Sequence, residues 1–142
     1  MTFYQLANAN RSSLIKAYSF SSELSQKECA ETLTSTAIQH GFVAPREPVK
    51  GATLADWSIR NKAPIWACKS ALVKLMDLQW EPANINEWAV FGYLFIQVNP
   101  MDSLDQLSET IPTHLNVNTA AGWISAAMES KTVHLLSKEL EQ

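Results

Sequence analysis

Between Pro64 and the pair Glu81-Pro82 lies the segment 65–79, IWACKSALVKLMDLQ. Wound as a helix, its apolar residues cover most of the circumference, and only Ser70, Lys74 and Asp77 make a continuous polar strip. A helix apolar nearly all round has to be covered on several sides. Pro64 fits its first turn, where the missing amide costs nothing. Whatever this chain folds into must therefore supply other amphipathic elements to enclose 65–79.

The rest of the sequence reads as such elements, separated by caps and breaks. Asn10 is expected to cap a short first helix running to about Tyr18. Ser25 and Glu28 have the spacing of a capping box, in which a hydroxyl and a carboxylate each satisfy an orphan amide. Cys29, Leu33, Ala37 and Ile38 then share one face, and Gly41 stops the helix so that Phe42 folds back on its last turn. Pro45, Pro48 and Gly51 make 43–52 a loop. Thr53 and Asp56 repeat the capping spacing ahead of a short helix carrying Leu54, Trp57 and Ile59 to about Lys62. Asn84 and Glu87 repeat it again ahead of 85–98, where the β-branched and aromatic run 88–98 also suits a strand. The cap, the length and the polar line Asn86–Tyr93–Gln97 favour helix, and the chain offers no second run for a strand to pair with. A short helix at 103–110 follows, with Leu104 and Leu107. Asn118 is the expected cap of a helix holding Trp123, Ile124, Ala127 and Met128, and 132–140 is read as a terminal amphipathic helix with Val133, Leu136 and Leu140 inward. The helix starts at Thr53, Asn84 and Asn118 resemble one another at offsets near those of stacked helical pairs; shared capping chemistry explains the likeness more simply than a repeat does.

A chain of 142 residues, 46% apolar and 18% charged, is long enough and apolar enough to close a core without disulfide or metal. The expectation is an all-α, compact single-domain bundle of six to eight helices, with 65–79 and 85–98 as a buried central antiparallel hairpin. The two cysteines, Cys29 and Cys68, stand among apolar residues and are expected buried and reduced, which suits a cytoplasmic location. The first residues carry no basic flank and no apolar core of signal-peptide length, and the longest apolar run is well short of the ~20 residues that span a bilayer. No membrane partner is expected.

Motifs that fix a chemistry are absent from the sequence. The four glycines, Gly41, Gly51, Gly92 and Gly122, are isolated, so no phosphate loop is formed. His40, His114 and His134 stand far apart, none at metal-ligand spacing from another donor. Cys68 lies near a helix start, where a thiol is acidified, with Lys62 and Lys69 close in sequence. It also lies on the apolar stripe with Leu72 and Leu75, which favours a structural role. No catalytic residue, metal or cofactor is assigned.

Charge is what points to function. Residues 46–74 hold six basic and two acidic side chains, net +4, whereas 75–142 holds two basic and nine acidic, net −7. Such asymmetry concerns partners and not fold. The expected function is non-catalytic binding to a macromolecule, first of all another protein, as an inhibitor, immunity or regulatory factor. The expected partner surface comprises Arg46, Lys50, Arg60, Lys62, Trp66 and Lys74, with Trp66 as apolar anchor. The alternative is nucleic-acid binding, because a basic loop, a short helix, a turn at 61–64 and a second helix have the outline of a helix-turn-helix. Against it, Ile65-Trp66-Ala67-Cys68 stands where base-reading polar side chains belong. An enzyme with an unrecognised site is the third reading.

Overall fold

The computed structural model describes residues 2–100 and 106–141, with side chains at all of these except 107–108 and 133–141. Its helices are α1 (Phe3–Ala9), α2 (Ser13–Ser21), α3 (Gln26–Gln39), α4 (Gly51–Arg60), α5 (Ile65–Asp77), α6 (Ile85–Val98), α7 (Leu107–Thr110) and α8 (Val117–Glu141). No strand occurs among the described residues. The fold is all-α, and 88–98 is helix.

Local chemistry sets several ends. At α3, Ser25 Oγ accepts from Glu28 N at 3.1 Å and Glu28 Oε1 accepts from Ser25 N at 3.4 Å, closing the expected box. Its other end is a Schellman turn: Gly41 has φ +74°, and Phe42 N donates to Ala37 O at 2.8 Å. At α6, Asn84 Oδ1 accepts from Glu87 N at 2.9 Å, while Glu87 Oε1 accepts from Ala83 N at 2.7 Å. α1 went unread in the sequence although Thr2 and Gln5 form a capping box, with Gln5 N donating to Thr2 Oγ1 at 3.1 Å and Thr2 N to Gln5 Oε1 at 3.0 Å.

Three starts differ from expectation. α2 begins after Ser12 and not at Asn10, whose carbonyl accepts from Ser13 N in the intervening turn at 2.9 Å. α4 begins at Gly51, two residues ahead of Thr53, because its first turn lies against the start of α3: a Cβ on Gly51 would stand 3.1 Å from Lys27 N. Asp56 then pairs with Arg60 at 2.9 Å, and Ile59 is 83% exposed. α8 begins at Val117, capped by Asn116, whose Oδ1 accepts from Thr119 N at 3.0 Å. It runs on to Glu141, so the helix at 132–140 is its continuation. The inward placement of Val133, Leu136 and Leu140 lies outside the described side chains, and 103–105 lie outside the described residues. Since neither Thr53 nor Asn118 caps a helix, the resemblance among helix starts reflects no shared cap.

The contacts divide the chain into two compact units, Asn10–Trp80 and Met1–Ala9 with Glu81–Gln142. In the first, α5 packs on α2 and α3, and α4 packs on α3 and α2. Ala67, Cys68, Ser70, Ala71, Leu72 and Leu75 of α5 are buried. Ser70, expected on the polar strip, is fully buried because its hydroxyl donates to the Leu33 carbonyl of α3. Serine is small enough to let the two helices approach there, and its hydroxyl finds a partner. A second polar tie joins the start of α2 to the α4–α5 turn: Ser12 N donates to Asn61 Oδ1 at 2.9 Å, and Ala63 N donates to Ser12 Oγ at 3.1 Å.

In the second unit α6 packs on α8 and α1, and α1 also meets α8. Phe91, Leu94, Val90 and Ile124 are fully buried there. Gly92 makes the α6–α8 crossing close, since a Cβ in its place would lie 2.7 Å from Trp123 O. The expected pairing of α5 with α6 is thus corrected. Each is the centre of its own unit, because each is apolar on more than one side and takes two covering helices.

Two substitutions check this packing. Leu72→Ala should cost about 2–5 kcal/mol in denaturant unfolding, the range for core leucine truncations; under half a kcal/mol would show that α5 is not central. Gly92→Ala should destabilise by about 1–3 kcal/mol through overpacking, although alanine is the better helix former by about 1 kcal/mol. A stabilised Gly92→Ala protein would contradict the α6–α8 crossing.

Candidate functional site

Trp66 and Lys69, three residues apart on α5, are neighbours on its surface, and both are half-buried. The loop between α3 and α4 passes them in the opposite sense. Arg46 places its guanidinium 5.3 Å from the Trp66 ring centre, and Lys69 Nζ lies 5.5 Å from the Phe42 ring centre. Each ring has a second ring beside it. Trp57 of α4 meets Trp66 edge-to-face at 5.9 Å, and His40 stacks on Phe42 at 5.3 Å and 24°. The result is one ledge in which cation, ring and ring repeat twice. A cation within about 6 Å of a ring centre gains roughly 0.5–1 kcal/mol at an exposed site, so the two pairs hold the loop as well as displaying charge.

Backbone contacts fix the loop further. Phe42 is held by the α3 Schellman turn, Val49 N donates to Thr34 Oγ1 at 3.4 Å, and Arg46 Nε donates to Glu47 O at 3.1 Å. Pro45 and Pro48 restrict the residues between.

Of the six residues expected to bind a partner, Arg46 and Trp66 meet directly. Lys50 stands exposed at the N-cap of α4, and Lys62 is exposed in the turn after that helix. Neither makes an ion pair among the described residues. Arg60 is engaged by Asp56 at 2.9 Å, and Lys74 by Asp77 at 3.7 Å, two turns beyond Trp66 along α5. Lys69, Phe42 and His40 were missed as site residues. The available signal was that Lys69 falls one turn from Trp66 on the same helix. The Phe42 contact depends on where the loop lies and leaves no trace in spacing.

The unit Asn10–Trp80 carries nine basic and six acidic residues, net +3. The unit formed by Met1–Ala9 and Glu81–Gln142 carries two basic and eight acidic, net −6. The charge split therefore follows the division of the fold.

Cys68 is fully buried, and burial pushes its thiol up to about 12. Its thiol stays protonated at neutral pH, the opposite of what a nucleophile needs. Burial likewise raises the Tyr18 phenol. Among the described residues no three histidine, cysteine or carboxylate side chains gather as a metal site. No helix among them is long and apolar enough to cross a membrane.

The Cys68 thiol gives a pH prediction. An unfolded thiol ionises near pH 8.5, while the folded one holds its proton to about 12. The unfolded state thus binds fewer protons between these values, and stability falls as pH rises through that window. Unfolding midpoints measured from pH 7 to 11 should decline, and the decline should be smaller in Cys68→Ala. Identical slopes would show that the thiol is accessible.

Comparison of the chain with protein-family models, with curated proteins and with solved structures returns no match, so the fold and the ledge are what bear on function.

Proposed function

We propose that this is a non-catalytic binding protein whose Asn10–Trp80 unit docks an acidic protein partner on the ledge formed by Arg46, Trp66, Lys69 and Phe42. The observation that carries the reading is the paired cation–aromatic arrangement along α5. Arginine and tryptophan most often dominate interface energies. A loop already held by two cation–π contacts, a Schellman turn and two prolines loses little entropy when a partner orders it. Lys50 and Lys62, exposed and without ion pairs among the described residues, add positive charge that steers an acidic surface towards the ledge.

Two features favour a protein over a nucleic acid. Non-specific single-strand binding stacks bases on open aromatic faces, and here Arg46 and Lys69 already cover one face each of Trp66 and Phe42. Base reading by a helix-turn-helix needs polar side chains in the first turn of the second helix. In α5 that turn buries Ala67 and Cys68.

The test is affinity capture from the native host, followed by titration of the purified captured protein. Arg46→Glu with Lys69→Glu should weaken binding by about 30-fold or more, the size of a hot-spot loss, and Trp66→Ala should weaken it comparably. Glu81→Lys with Glu129→Lys should leave it unchanged. Loss of the partner in the acidic-site variant alone would overturn the proposal. Salt-dependent binding of a single-stranded oligonucleotide, abolished by Arg46→Glu, would replace it with the nucleic-acid reading.

A further inference from the structure

α1, α6 and α8 line an open-sided cavity of about 320 Å³ in the acidic unit, well apart in chemistry from the basic ledge. Tyr4 and Tyr93 meet edge-to-face at 5.8 Å in its lining, and Phe3, Ile96 and Ala127 add apolar surface. Among the described residues its polar lining is Gln97, Ser130 and Lys131 besides the tyrosines, with no acidic side chain. Gln97 spends an amide hydrogen on the Tyr93 carbonyl of its own helix at 3.2 Å. The volume falls at the lower end of the range for small-molecule sites, about 300–1,000 Å³. At about 30 Å³ for a water-sized group, it holds roughly ten methylenes.

Lys131 decides what kind of molecule fits. It is the one basic side chain described in a unit of net charge −6, it is exposed, and it has no ion pair among the described residues. Charges beyond a Debye length of about 8 Å are screened at physiological salt, so the cation in the lining acts most strongly on a group bound beside it. We infer that the cavity binds a small amphipathic monoanion, its apolar body against Tyr4, Tyr93, Phe3 and Ile96 and its anionic head at Lys131. The class comprises medium-chain carboxylates and their apolar monoanionic analogues. This site is independent of the ledge.

Decanoate is the probe, with decanol and decylammonium as neutral and cationic controls of the same length, followed by calorimetry and by chemical shifts on the full chain. Decanoate should bind at one equivalent and shift residues of α1, α6 and α8. Lys131→Glu, at an exposed position, should keep the helical circular dichroism and lose about tenfold in affinity, the size of a charge-assisted contact. Affinity should rise about fourfold per added methylene up to a chain that fills the cavity, then level off. Decanol binding as tightly as decanoate would overturn the assignment of the head group, as would tighter binding of decylammonium. Affinity that keeps rising to hexadecanoate, or shifts spread over both units, would mean non-specific adsorption and overturn the site. No binding of any of the three probes would overturn it outright.

Discussion

α5 and α6 have too little polar surface to face water, and the rest of the fold answers that constraint. Each needs cover on more than one side, and each takes two helices to get it: α2 and α3 for α5, α1 and α8 for α6. The close points are made by small residues. Ser70 reaches the Leu33 carbonyl across the α3–α5 contact, and Gly92 admits the backbone of Trp123 across the α6–α8 contact. Burial supplies the driving force for both units, and these two positions set how near the helices come.

Both candidate binding features follow from that packing. The ledge exists because α5 keeps Trp66 and Lys69 outside its buried faces, and because the Schellman turn after α3 sends the loop back along them. The cavity exists because α1, a short helix with large aromatic residues, lies against α6 and α8 without filling the space beside Tyr93 and Ala127. The first feature is positively charged and sits on the net-positive unit. The second holds a lone described lysine within the net-negative unit. Their chemistries differ enough that one can be altered without the other.

Local physics made some of this legible in the sequence. The boxes at Ser25 and Asn84 are contacts within one turn, so residue spacing reveals them. The helical state of 85–98 followed from its cap and from the want of a strand partner, despite strong strand propensity. The burial of Leu72 and Leu75 followed from helical periodicity. The charge split was also visible, as was the Arg46–Trp66 neighbourhood, in outline. Ser70 shows the limit: it stands on the polar strip of its helix yet is fully buried, because periodicity marks a face without saying what covers it.

The sequence by itself therefore determined an all-helical chain, most of its breaks, and two helices that must be enclosed, since these depend on interactions between residues a few positions apart. Tertiary structure decided which helices enclose which. It moved the start of α4 back to Gly51 by seating it on α3, buried Ser70, and joined α1 to helices more than seventy residues away. It also brought Lys69 to Phe42 and formed the cavity beside Lys131. Contacts between residues distant in the chain leave no periodic mark, because their geometry is fixed only when whole helix faces meet.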